Sequence, residues 1–182
     1  VYNTVIIGTQ TWMAENLKTA KYNDGVMIQN VTNVNDWANL NIGAWIYNPT
    51  YNANNKQYYG KLYNWFAVNS GKLCPNGWRI PTETDWNVLF SNLGGFQVAG
   101  GKMKTTGNWQ QSSGLWTSPN YQATNESGFS AQPAGALNNS NGYSSFDGVH
   151  EYGKFWSSTE INLVDSWSYK IHYYWGSDLN YN

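Results

Sequence analysis

Cysteine, histidine, charge and long apolar runs are all scarce in this chain, and each scarcity removes a class of function. Cys74 is the only cysteine among 182 residues. No intrachain disulfide can form, and cysteine usage says nothing of the redox compartment. With only two histidines besides, the chain has too few soft ligands for a zinc site. Charged residues make up 12%, about half the share in an ordinary soluble domain. The net charge is −1 and no Lys/Arg cluster occurs, which argues against nucleic acid, because phosphate binding needs a basic footprint. No apolar run approaches the roughly 18 residues of a membrane span. The chain opens directly on Val1-Tyr2-Asn3-Thr4-Val5 with no signal peptide; an exported protein would thus be in mature or trimmed form. A Gly-rich phosphate loop, a Gly-x-Ser-x-Gly elbow and a His-Glu-x-x-His motif are all missing.

What the chain has instead is rings and amides. Aromatics reach 17%, with 11 Trp and 14 Tyr. Asn, Ser, Thr, Tyr and Gly replace much of the usual charged surface. Flat amphipathic rings among amides and hydroxyls suit stacking and short-range hydrogen bonding rather than long-range steering. Adaptable paratopes use the same mixture, and it also suits sugar faces. Apolar residues at 41% are enough for one domain with a real core, expected over residues 1–182.

Periodicity along the chain is uneven. Val5-Ile6-Ile7 reads as a strand with a turn at Gly8-Thr9. Residues 13–58 read as long irregular structure pinned by isolated rings such as Trp37 and Trp45. In Tyr59–Val68, Leu62, Trp65 and Phe66 stand at i, i+3, i+4 and predict one short helix. The best-marked element follows Pro81: Thr82 as N-cap with Asp85 three residues on forms a capping box. Its apolar face carries Trp86, Leu89 and Phe90, and Leu93-Gly94-Gly95 stops it. Glu83 and Asp85 in its first turn read as capping and dipole partners rather than catalysts. After residue 96 the pattern becomes turns and short strands. Phe155–Thr159 reads as a strand, and residues 166–175 alternate with period two. The class is α+β: two short helices, a small twisted antiparallel sheet and long irregular loops.

Five segments occur in a fixed order: Gln10-Thr11-Trp12-Met13-Ala14-Glu15-Asn16-Leu17, Tyr59-Gly60-Lys61-Leu62-Tyr63-Asn64-Trp65, Cys74-Pro75-Asn76-Gly77-Trp78-Arg79-Ile80-Pro81-Thr82, Gly128-Phe129-Ser130-Ala131 and Phe155-Trp156-Ser157-Ser158-Thr159. Together they resemble the Fibrobacter succinogenes major paralogous domain of secreted or lipid-anchored bacterial proteins. Arg79–Trp86 is also similar to a stretch of formylglycine-generating enzymes, which share a C-type-lectin-like fold. The resemblance implies that fold here and an extracellular or cell-surface setting. On this reading Trp12, Trp65, Trp78 and Trp156 are core rings, and Glu15 and Asn16 a buried hydrogen-bonded pair. Two departures follow. A lone Cys74 cannot reproduce the cysteine pair with which formylglycine-generating enzymes hold copper. The family's usual closing strand, with a second cysteine, has no counterpart before Asn182. Either the molecule is trimmed, or this member lacks that strand, or a partner supplies it; a missing strand would leave a sheet edge open to a neighbouring one.

No catalytic set emerges. His150 and His172 are the only imidazoles, and both read as solvent-facing or structurally bonded. Glu151, Glu160, Asp165 and Asp178 offer carboxylates, but no spacing selects a pair for glycosidase chemistry. Oxygen ligands for calcium could come from Asp147, Glu151, Asn162 or Asp165. The sugar-binding triplets of C-type lectins are absent, so no cofactor is expected and calcium has only weak support. The expected function is non-enzymatic binding of a protein or glycan at the cell surface. The expected site is the late aromatic segment: Glu160, Asn162, Asp165, Trp167, Tyr169, His172, Tyr174, Trp175, Asp178 and Asn180. The alternative is a surface-filament or adhesin subunit that pairs with a neighbour at its C-terminal sheet edge.

Overall fold

The computed structural model describes residues 1–139, 143–161, 166–174 and, as main chain, 140 and 177–181. It is α+β, as expected, with more helix than expected. An antiparallel ribbon opens the chain: β1 (Thr4–Ile7) and β2 (Gln10–Met13), paired from Thr4↔Met13 to Ile7↔Gln10. The segment read as irregular holds β3 (Gln29–Asn30) and β4 (Ala44–Ile46), with α1 (Val34–Trp37) between them, and β5 (Leu62–Tyr63) beyond it completes a small three-stranded sheet. All three residues of β4 are buried, so no polar alternation marks it as a strand in the sequence.

The single helix expected over 59–68 is two helices with a strand between. α2 (Lys56–Tyr59) ends where Gly60 takes a φ of 73°. A Cβ at Gly60 would stand 2.7 Å from the Cβ of Asn16 and 2.8 Å from Leu17 O. Two chain segments that both belong to the ordered motifs thus touch at a position only glycine fits. After β5, α3 (Trp65–Val68) starts at Asn64, whose side chain accepts from Ala67 N. Phe66, expected on the apolar face, is 48% exposed.

α4 (Glu83–Asn92) has the full capping box between Thr82 and Asp85, and Leu93 closes it. Three residues later α5 (Phe96–Met103) begins, where turns and short strands were expected. Both pack on the main sheet, which runs β10-β9-β8-β6-β7. Its strands are β6 (Ala134–Ser140), β7 (Tyr143–Val149), β8 (Tyr152–Glu160), β9 (Ser166–His172) and β10 (Ser177–Tyr181). The neighbours pair antiparallel except β6 with β8, which run parallel. The alternation that predicts a strand over 166–175 corresponds to β9, and β10 stands at the sheet edge.

Two cores lie on opposite faces of β8. Trp86, Leu89, Phe90, Met103, Trp116, Phe129, Tyr169 and Ile171 are buried on one side, with Phe155 packed against them. Ile28, Trp45, Tyr63, Ala67, Val68 and Leu73 form the other, with Trp65, Ile80 and Trp156 against them. Successive residues Phe155 and Trp156 therefore serve different cores, as the two-residue period of a strand requires.

Candidate functional site

Between the β1–β2 ribbon and β8 lies a concavity of about 670 Å³, within the size range of ligand pockets. All five ordered motifs contribute to its wall or its support. Trp12, Met13 and Leu17 come from the first, Tyr63 from the second, and Cys74, Trp78 and Ile80 from the third. Phe129 comes from the fourth, Phe155 and Trp156 from the fifth. Residues from both faces of β8 line it, so it opens on the edge of that strand. Among the described residues, β6 meets β8 at one pair only, Gly135↔Gly153, and β2 pairs only with β1. The cavity thus runs alongside two strand edges.

Of the four rings expected in the core, Trp12, Trp78 and Trp156 line this cavity, while Trp65 stands behind it against the second core. Trp12, Trp65, Trp78 and Trp156 are all of intermediate exposure. Trp12 packs at 5.0 Å from Trp86 and 5.7 Å from Phe129, and Trp156 at 5.8 Å from Trp65. Indole N–H groups are anchored: Trp12 Nε1 donates to Gln10 Oε1 (3.2 Å) and Trp156 Nε1 to Tyr63 O (3.0 Å). The expected Glu15–Asn16 pair does not form. Glu15 accepts from Asn3 N and forms an ion pair with Lys18, which lowers its pKa. Asn16 Nδ2 donates to Tyr59 O at 2.8 Å.

Several other polar groups of the wall are engaged with one another or with main chain. Arg79 grips Asp85 through Nη1–Oδ2 (2.5 Å) and Nη2–Oδ1 (2.8 Å), while Thr82 N donates to the same carboxylate. The Arg79 hydrogen bonds hold Asp85 well below the usual carboxylate range. Lys61 Nζ donates to Lys18 O at 2.6 Å and stands 4.4 Å from the Trp45 ring. Burial, reinforced by Lys170 opposite, pulls Lys154 down to about 8. Burial pushes the Cys74 thiol up to about 11. No imidazole lines the wall beside that thiol.

The late segment is only partly brought together. Tyr169 is 2% exposed and packs 5.0 Å from Trp86, so it belongs to the core and cannot meet a ligand. Glu160 is exposed and accepts from Asn69 Nδ2 at 2.8 Å. Trp167 is half-buried. His172 is half-buried as well, stacked 6.4 Å from Tyr152, with its Nδ1 3.2 Å from Tyr174 N. Tyr174 is 49% exposed. Asn162, Asp165 and Trp175 lie outside the described residues, as do the side chains of Asp178 and Asn180 on β10. Among the described residues no group of three or more His, Cys, Asp or Glu side chains comes together. No helix of the described residues is long and apolar enough to cross a membrane.

The family model described as the Fibrobacter succinogenes major domain matches residues 5–181. The chain belongs to that family. Searches among curated proteins and among solved structures each returned no match. In this Fibrobacter succinogenes major domain the motif residues have a shared physical job: they build and face one hollow. Their spacing along the sequence carries no sign of that convergence. The signal was the recurrence of Trp, Gly and Asn in short motifs, which fits core packing equally well.

Proposed function

We propose that this chain is a non-enzymatic extracellular binding domain of C-type-lectin-like fold that recognises a protein or glycan ligand. The observation that carries this reading is the ring-lined cavity, where Arg79 is tied to Asp85 and much of the remaining wall is aromatic and aliphatic. Such a wall gives affinity through stacking and burial, with few convergent polar groups for orientation. The thiol in that wall is protonated at neutral pH and no imidazole adjoins it, which supports binding without chemistry. The centre of recognition moves from the late aromatic segment to the motif cavity, with Glu160 and Tyr174 left as exposed residues outside it.

The test uses Trp78, which lines the cavity without belonging to either core. The wild-type chain and a Trp78→Ala variant are compared on a glycan array and on a displayed library of ten-residue peptides. A loss of about tenfold or more in affinity, the scale of an anchoring aromatic, supports the cavity. Equal binding by a folded variant rejects it.

A second reading, a surface-assembly subunit joined by strand exchange, is favoured by the two strand edges beside the cavity. It requires self-association in light scattering at high concentration. A strictly monomeric chain counts against it.

A further inference from the structure

A second concavity of about 680 Å³ shares only Gln132 with the motif cavity. Its wall includes Asn52, Asn55, Tyr58, Trp109, Gln132 and His150, and none of its lining residues is Lys, Arg, Asp or Glu. That composition selects a ligand class. An ionic ligand would be desolvated here without a countercharge. A purely apolar one would strand amides and hydroxyls without partners. A molecule with apolar faces and a dense rim of neutral hydroxyls satisfies both constraints.

The pocket is also preorganised. Tyr58 and Trp109 are 51% and 48% exposed, large rings left facing solvent. Trp109 is nonetheless held: its Nε1 donates to Thr117 Oγ1 (3.3 Å) and its main-chain N to Trp116 O (2.9 Å). Its ring lies 5.2 Å from His150 at 30°. A ring already fixed loses little rotamer freedom when something stacks on it. His150 has a φ of 71° and Ser112, also in the wall, a φ of 53°. Non-glycine residues in the left-handed region cost free energy and gather at sites where a side chain must be aimed. The His150 main chain is clamped by His150 N to Pro133 O (3.0 Å) and Thr117 N to His150 O (2.7 Å). Nδ1 stands 2.6 Å from Leu115 O. Facing a carbonyl, that nitrogen carries the ring proton, which makes Nε2 the acceptor of the neutral imidazole.

We propose that this pocket is a subsite for a neutral glycan. Trp109 is its stacking platform, His150 Nε2 accepts from a hydroxyl, and the Asn52, Asn55 and Gln132 amides read the rim. The proposal rests on the reading of the chain as a binding domain but places the sugar apart from the motif cavity. Cellohexaose, mannohexaose and chitohexaose, with oligogalacturonate as the acidic counterpart, are titrated by calorimetry into wild type, Trp109→Ala, Trp109→Phe and Trp78→Ala. The expected result is binding of at least one neutral hexasaccharide and no preference for the acidic one. Affinity should fall about tenfold in Trp109→Ala and be largely kept in Trp109→Phe, as ring stacking predicts. Three outcomes overturn it: silence of all neutral sugars, unchanged binding by folded Trp109→Ala, or loss in Trp78→Ala instead. Silence here with peptide binding at the motif cavity removes the subsite and leaves the binding domain standing. Sugar binding lost through Trp78→Ala moves the glycan into the motif cavity.

Discussion

Lys104 is fully buried, with its ammonium donating to Tyr121 O (2.8 Å), His172 O (3.0 Å) and Tyr173 O (3.4 Å). Burial pulls its pKa down to about 8, and Lys154 shares that value. Between pH 8 and the ordinary lysine value of 10.5 the unfolded chain binds more protons than the folded one, so stability rises with pH across that window. Buried tyrosines act oppositely. Tyr59, Tyr152 and Tyr169 are raised to about 12 by burial, and Tyr51 and Tyr63 further. Above pH 10 the unfolded phenols lose protons that the folded ones keep, and stability falls. Thermal melting should therefore show a midpoint that climbs above pH 8 and drops beyond pH 10; a midpoint falling steadily from pH 7 would contradict the lysine assignment, and one still climbing beyond pH 11 the tyrosine assignment. Lys104→Met should cost about 1–3 kcal/mol in urea unfolding at pH 7, because carbonyls gathered around the ammonium lose their donor. None of this is legible in the sequence, where Lys104 sits in Gly-Lys-Met-Lys-Thr and reads as a surface cation.

At the scale of elements, legibility followed local chemistry. α4 could be read to the residue because its capping box, apolar face and glycine stop are all encoded within a dozen positions. Replacing Thr82 by Ala should lower stability by about 1 kcal/mol, and a urea midpoint indistinguishable from wild type would mean the box is idle. α5 escaped because Gly100 and Gly101 fall inside it, and glycine ordinarily marks a break. Its glycines answer a tertiary demand instead: a Cβ at Gly101 would stand 2.6 Å from Gln122 O. Helix propensity alone would favour Gly101→Ala by about 1 kcal/mol. The clash is with main chain and cannot be relieved by a rotamer, so overpacking of about 1–3 kcal/mol should win. Net destabilisation in chemical unfolding is the expected outcome, and a stabilised variant would show that the loop at Gln122 yields. The break between α2 and α3 was hidden for a related reason: Leu62, Trp65 and Phe66 mimic helical spacing, while Gly60 and the pairing of β5 with β4 decide the conformation.

Over the whole molecule, the α+β class and the family were legible, and the convergence of the motifs on one cavity was not. Five motifs spread from residue 10 to residue 159 identify the family, yet their common wall exists only once the ribbon, α4 and β8 are in place. Sequence composition instead drew attention to the late segment, since exposed and buried rings look alike on paper. Tyr169 shows the difficulty: it alternates with Lys170 along β9 as an interface residue would, but Trp86 and Phe90 enclose it.

Cys74 gives the cavity a reporter that no other position duplicates. It is 8% exposed, lines the wall and is the chain's sole thiol. Its alkylation rate by a small maleimide therefore counts how often the hollow gapes, because only the thiolate reacts and burial suppresses it. Labelling should be slow in the resting protein and quick in urea, and any molecule lodged in the hollow should slow it further. A guest that binds yet leaves the labelling clock untouched must be seated somewhere else.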